Sequence, residues 1–395
     1  MLNLGLSADE QAAFHAALRT HRRIAVRLDV LDMDQKHLTS IDNRLLSGEV
    51  TVDGTADVSR SMSVTLLDPA HRLRLDSDAP DEGALYADRM LRATYLVRVG
   101  GEWVDVPVFT GPITKLDRDE ATVSVECQGK EVLAQQAAWT PMTLDKGLGK
   151  IDAIRRIMRE RAGESKFDFP EGKARLPSNV SLGREDIPWE FAQKIARGMD
   201  KQLFYDGRGR LRLRNLPDRV SFTFNERVIT SVPQVSFDMS EARNAVRVVG
   251  RNLHEGKETG KGDNVEQIPT EQTGGVAVAE RSHPLSPHRL GRNGTPRYIA
   301  EFIVDDTIRS NKEAVKVAER TLRDRLRQAV EVSMDVLPVP HLEPGDTIGV
   351  SYGDIEATAR LQQFGFSLTS DGSMSIGYTR RVSRPSRSRR RVNRK

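Results

Sequence analysis

Apolar side chains recur at every second position in a series of short runs separated by glycine and aspartate, and this period commits most of the chain to half-buried strands. Ile24, Val26, Leu28 and Val30 alternate with Ala25, Arg27 and Asp29. Met62, Val64 and Leu66 share one face of SMSVTLLDP, and Val123, Val125 and Cys127 one face of ATVSVECQG. GEVTVDG, with an Asp53-Gly54 turn, and ATYLVRVGGEWVDVPVFTG add further runs. Several short strands over about 110 residues predict an antiparallel barrel or sandwich.

Helical spacing interrupts this pattern at three places. SADE, residues 7–10, has the Ser-x-x-Glu form of a capping box and opens an N-terminal helix. Leu148, Ile151, Ile154, Ile157 and Met158 then fall on one helical face, with Gly163 placed to end it. A helix from about Pro188 to Gly198 presents Phe191, Ala192, Ile195 and Ala196. KQLFYDGRGRLRLRNLP follows it, with two alternating runs around Asp206-Gly207-Arg208-Gly209 that predict a hairpin.

Strand patterns resume in RVSFTFN, VSFDMS and NAVRVVGR. Residues 252–297 lack sustained periodicity and carry Gly256, Gly260, Gly262, Gly274 and Gly275, so this long connection is expected to be mobile alone and ordered against a neighbour. After YIAEFIVDD, a second capping box, SNKE at 310–313, opens a helix with Ala314, Val317, Ala318 and Leu322 inward. EVSMDVLPVP, DTIGVSY and a hairpin around Asp371-Gly372 close the chain. The expected fold is therefore mainly β with α+β, two antiparallel β-barrel domains flanking a small α+β module. Its divisions are an N-terminal helix at 1–20, the first β-barrel at 21–140, the α+β module at 141–218, the second β-barrel at 219–379 and a basic arm at 380–395.

Composition narrows the function. A mean hydropathy of −0.49 and the lack of an apolar run near the roughly 18 residues of a bilayer span predict no membrane crossing. The first residues lack a basic stretch followed by an apolar one, so no secretory signal is read. The lone Cys127 excludes an internal disulfide and a zinc ribbon, and its alternation with Val123 and Val125 makes it a small buried hydrophobe. The net charge is +4, yet residues 380–395 alone carry nine positive charges, which leaves −5 on residues 1–379. An acidic body argues against a folded nucleic-acid-binding face.

No constellation calls for catalysis, a metal or a cofactor. His283 and His288 are five apart with prolines between them and cannot share the face of a helical zinc pair. The Asp206–Gly209 turn joins strand to strand, whereas a phosphate cradle needs a helix start. Glu185 and Asp186 precede a helix, where acids favour the dipole. Trp103, Trp139 and Trp189 are expected as core anchors, because the low aromatic content of 5% does not suit a stacking surface.

Three stretches, in this order, resemble the tail hub family of phages and related contractile injection machines. WEFAQKIARG (189–198), followed by LFYD (203–206) and GRL (209–211), is similar to that family's helix, glycine and strand-turn-strand module. NAVRVVG (244–250) resembles the strand entering its later barrel, and VPHLEPGDTIGV (339–350) its PxLxPGDxIxV turn. SMSVTLLDP and VPVFTGPITKLDRDEATVSVECQGKEVL resemble the opening of minor tail proteins of long-tailed phages. The resemblance implies two related barrels and a homotrimer with six similar positions, joining a hexameric tail tube to a three-fold tip. It implies a non-catalytic virion structural protein of the tail tip, or baseplate, assembled in the host cytoplasm, with tail proteins on the tube and tip sides as partners and DNA in transient passage. The 252–297 stretch and the arginine tail depart from the contractile hub, which favours a long non-contractile tail, that of a siphophage. A tail-associated cell-wall hydrolase is the alternative.

The basic arm supplies the expected partner-binding residues: Arg380, Arg381, Arg384, Arg387, Arg389, Arg390, Arg391, Arg394 and Lys395. With Val382 and Val392 as its large apolar residues it cannot fold alone, and extended it reaches about 50 Å. An acidic neighbouring protein is its expected partner, with DNA binding and simple solvation as the competing readings.

Overall fold

Period-two alternation becomes strand in a computed structural model that describes residues 1–20, 25–73, 75, 85–237, 239, 242–250, 274–305, 308, 310–327, 330–353, 355–369 and 372–379. The chain is mainly β with a few helices. It forms two compact units, one of Met1–Gln234 with Ser333–Tyr378 and one built on Val235–Val332.

The first unit opens with α1 (Ala8–Ala17), capped as the sequence predicts: Ser7 and Glu10 each accept the other's backbone N–H, at 2.8 and 3.4 Å. Phe14 and Leu18 are buried. There follow β1 (Ala25–Leu31), β2 (His37–Ser40), β3 (Leu45–Asp53), β4 (Arg60–Leu67), β5 (Met90–Val99), β6 (Glu102–Arg118) and β7 (Thr122–Gln128). All neighbouring pairs among them are antiparallel. The seventeen-residue β6 pairs with β5 up to Pro112 and with β7 from Ile113. In β4 the inward positions are Arg60, Met62, Val64 and Leu66, and in β7 they are Val123, Val125 and the buried thiol of Cys127.

The α+β module comprises β8 (Met142–Leu144), α2 (Lys150–Ala162), β9 (Phe167–Asp168), β10 (Val180–Leu182), α3 (Pro188–Arg197), β11 (Gln202–Tyr205) and β12 (Leu211–Arg214). Gly163 ends α2 in the left-handed conformation at φ 64°, where a Cβ is disfavoured. Ile154, Ile157, Met158, Trp189, Ile195 and Leu213 share one core, and Trp189 stacks on Tyr205 at 5.9 Å. β11 and β12 form the predicted hairpin.

The remaining elements are β13 (Val220–Asn225), β14 (Gln234–Phe237), β15 (Ala245–Gly250), β16 (Gly274–Val278), α4 (Pro287–Leu290), β17 (Ala300–Asp305), α5 (Asn311–Arg327), β18 (Val330–Val336), β19 (Thr347–Tyr352), β20 (Ile355–Ser367) and β21 (Met374–Thr379). β20 pairs with β19 along its first half, then with β21 on one side and β3 on the other. The expected block 219–379 is thereby divided, because pairing of β20 with β3 draws residues 333–378 into the first unit while 235–332 packs on its own core. The main sheet is an open path rather than a closed cylinder among the described residues.

In the second unit β15 lies between antiparallel β16 and parallel β17. One face of this sheet is covered by α5, with Val246, Val248 and Ala277 against Ala314, Ala318 and Leu322. A Cβ on Gly275 would lie 2.3 Å from the backbone nitrogen of Val315, so only glycine admits this approach of helix to strand. The second half of the 252–297 stretch is therefore not patternless, since it holds β16 and α4. Its alternation of Val276 and Val278 with Ala277 and Ala279 was too short and too low in contrast to read. Residues 252–273 lie outside the described residues.

Candidate assembly site

Glu343, in the PxLxPGD turn, is fully enclosed, and three separate stretches of the first unit meet there. Its carboxylate takes the Arg60 guanidinium from β4 and the Gly207 N–H from the β11–β12 turn, the latter at 3.3 Å. Arg60 also donates to the carbonyls of Val108 on β6, at 2.8 Å, and Tyr205 on β11, at 3.2 Å. A Cβ on Gly207 would sit 2.1 Å from the Pro107 carbonyl, so the hairpin touches β6 backbone to backbone. Next to it Gln202 Nε2 and Arg214 Nη2 donate to the Pro344 carbonyl, and Arg214 Nη1 to Asp346 at 2.9 Å. Burial pushes the Glu343 carboxyl above its usual range against the pull of Arg60, and burial raises the Asp206 carboxyl as well. Lys130 and Glu164 make a second enclosed pair at 2.5 Å. The hairpin of the first resembling stretch and the turn of the third are thus one interlocked site. The Asn of NAVRVVG serves the second unit instead. Buried Asn244 donates to the Arg297 carbonyl at 2.9 Å and accepts from Ile299 N–H at 2.7 Å, which fixes β15 beside β17.

The face of the β16-β15-β17 sheet turned away from α5 is mostly apolar and, among the described residues, open. Val276, Val278, Phe302 and Val304 lie on it at 58, 43, 70 and 74% exposure. Arg247 and Val249 lie between them on β15. Covering each of these side chains would contribute on the order of 1–2 kcal/mol. Exposed apolar surface of this kind is a candidate interaction surface.

The nine basic residues expected to bind a partner, Arg380 to Lys395, lie outside the described residues. Among the described residues no group of three or more His, Cys, Asp or Glu is placed to hold a metal. His283 Nδ1 accepts from its own loop at Leu285 N–H. Asp186 closes a turn on Gly183 N–H at 2.6 Å immediately before the helix, whose N-cap is Ile187. Trp189 is buried as expected, but Trp103 and Trp139 are 50 and 92% exposed. Trp103 sits at the tip of the β5–β6 hairpin under the Arg98 guanidinium, past the end of the core, and Trp139 is left uncovered among the described residues. The buried ionic site was missed from sequence, although one signal was present: Arg60 is in phase with Met62, Val64 and Leu66.

No protein-family model matches the chain, and no curated protein matches it. Solved structures do. A tail protein from Neisseria meningitidis MC58 superposes with a TM-score of 0.60 at 12% identity, covering 91% of this chain and 96% of its own. The 43 kDa tail protein of prophage MuSo2 from Shewanella oneidensis gives 0.58 at 11%, covering 90% and 98%. The chain has the fold of these phage-type tail proteins along nearly its whole length.

Proposed function

We propose that this chain is a structural subunit of a phage tail tip, three copies of which form a hub ring that joins the tail tube to the tip and lets DNA pass. One observation carries the reading: the fold of two tail proteins is matched over nine-tenths of both partners, so the likeness is to a whole protein rather than to a common module. The open apolar sheet face supports it, since assembly supplies the missing cover. The acidic balance of residues 1–379 suits a wall that does not hold passing phosphates.

The two barrels of the ring are part of this proposal. One is residues 25–128. The other is β13, β19, β20, β21 and the end of β18, with an isolated bridge between Ile229 and Val336 beside them. Residues 141–218 form the module between them, and the arginines of 380–395 dock on an acidic neighbour. Imaging of the assembled particle tests the stoichiometry: three copies at the tip are expected, and six or one would overturn the ring. Truncation after Thr379 tests the arm, where normal assembly with lost DNA binding would refute protein docking.

A further inference from the structure

A cleft of about 660 Å³ in the first unit is walled by cations from four parts of the chain. Arg27 comes from β1, Arg92 from β5, Lys166 from the approach to β9, and Arg208 and Arg210 from the β11–β12 turn. Arg27 is neutralised by Asp29 at 3.2 Å and Asp105 at 2.7 Å. The other four have no carboxylate within ion-pair distance among the described residues.

The arrangement is built. Arg92 Nε donates to Thr110 Oγ1 at 3.1 Å, and Thr110 in turn donates to the Gly207 carbonyl at 2.9 Å. Buried Gln35 donates to the Gly209 carbonyl at 2.9 Å and turns its oxygen toward both Arg92, at 3.4 Å, and Lys166, at 3.3 Å. One amide oxygen therefore stands between two cations where an acid would be expected. Burial, followed by Arg92, Lys130 and Arg210, holds the Lys166 ammonium below its usual range, and burial does the same to Arg92. Glu164 offsets this in part at Lys166, as Asp29 and Asp206 do at Arg92, and an entering anion would relieve what remains.

The lining decides which anion. Guanidinium and ammonium groups only donate, the Gln35 oxygen is already engaged, and the Asp105 carboxylate is held by Arg27. A peptide strand would bring backbone N–H groups with few acceptors to meet them. A phosphate group presents acceptors alone, and planar guanidiniums match it with two parallel bonds. We propose that this cleft binds an anion carrying two or more phosphate groups. Phosphodiester backbone and free oligophosphate are the two sources of that chemistry.

The test uses the full chain and three probes: tripolyphosphate, a labelled twelve-nucleotide single strand and poly-glutamate. The variant is Arg208→Gln with Arg210→Gln, whose side chains carry no hydrogen bond among the described residues, so the fold is expected to stay intact. Lys312→Gln, exposed on α5, is the control for lost charge, and the arginine arm is present throughout. The expected result is at least tenfold weaker tripolyphosphate binding in the double variant and little change in the control. A parallel loss with the single strand assigns the site to a phosphodiester, and its absence assigns it to free oligophosphate. Unchanged tripolyphosphate binding, or an equal loss with poly-glutamate, would overturn the proposal.

Discussion

The interior around Arg60 and the outer face of the β16-β15-β17 sheet treat charge and apolar surface in opposite ways. In the first unit an ion pair is sealed inside, every strand between the two ends of the main path is flanked, and three distant stretches are tied to one carboxylate. In the second a small sheet is covered on one side by α5 and leaves four large apolar side chains open on the other. The first arrangement determines how the chain holds together by itself. The second contributes little until something covers it.

The largest test of this contrast removes one partner of the sealed pair. Arg60→Met strands the Glu343 carboxylate and is expected to cost about 3–5 kcal/mol, whereas Arg60→Met with Glu343→Leu should recover most of it. Urea unfolding followed by tryptophan fluorescence reads both, and equal losses would show that the pair is not coupled. In the second unit the covered face should be the sensitive one. Gly275→Ala pushes a methyl into the Val315 backbone and should cost about 2 kcal/mol.

Acid should loosen the first unit at His341. Burial, and then neighbouring His15, hold this imidazole at about 3, and the nearby Asp346 pulls only weakly the other way. A depressed folded value means the stabilisation is whole above about 6.5 and is lost as the pH falls toward 3. From pH 7.5 to 5 the loss is about 2 kcal/mol at about 1.4 per unit. Thermal melts at the two values measure it, and His341→Gln should flatten the difference. His15, also lowered by burial, adds a smaller part of the same sign. Ser7→Ala, which removes the cap of α1, should cost about 1 kcal/mol, read by hydrogen exchange in that helix.

The smallest expected change in stability sharpens the comparison most. Phe302→Ser with Val304→Ser on the open face should move the unfolding midpoint by no more than about 0.5 kcal/mol, yet sharply lower incorporation into particles. A large loss of stability in the free chain would mean that the face is already covered.

Much of the fold was legible because it rests on local chemistry. The capping box at Ser7 holds as read, and at Ser310 the hydroxyl accepts the Glu313 N–H. So do the Gly163 stop and the hairpin at Asp206–Gly209. These depend on residues within a few positions of one another, and period and turn chemistry suffice to find them. The site was less legible. Arg60 stood at an inward position without a visible partner, because Glu343 lies 283 residues away.

What the sequence alone determined is therefore most of the strands and helices and, for many of them, the side that faces inward, since side-chain period is a property of neighbouring residues. What the tertiary structure decided is which strands pair and which surfaces stay open. β20 joins β3 across three hundred residues, dividing a block that reads as continuous, because ladder hydrogen bonds are the same for any strand and carry no address in the sequence. The open face was hidden for a related reason: Val276, Val278, Phe302 and Val304 look like core in a list of residues, and only the placement of α5 on the opposite side leaves them uncovered.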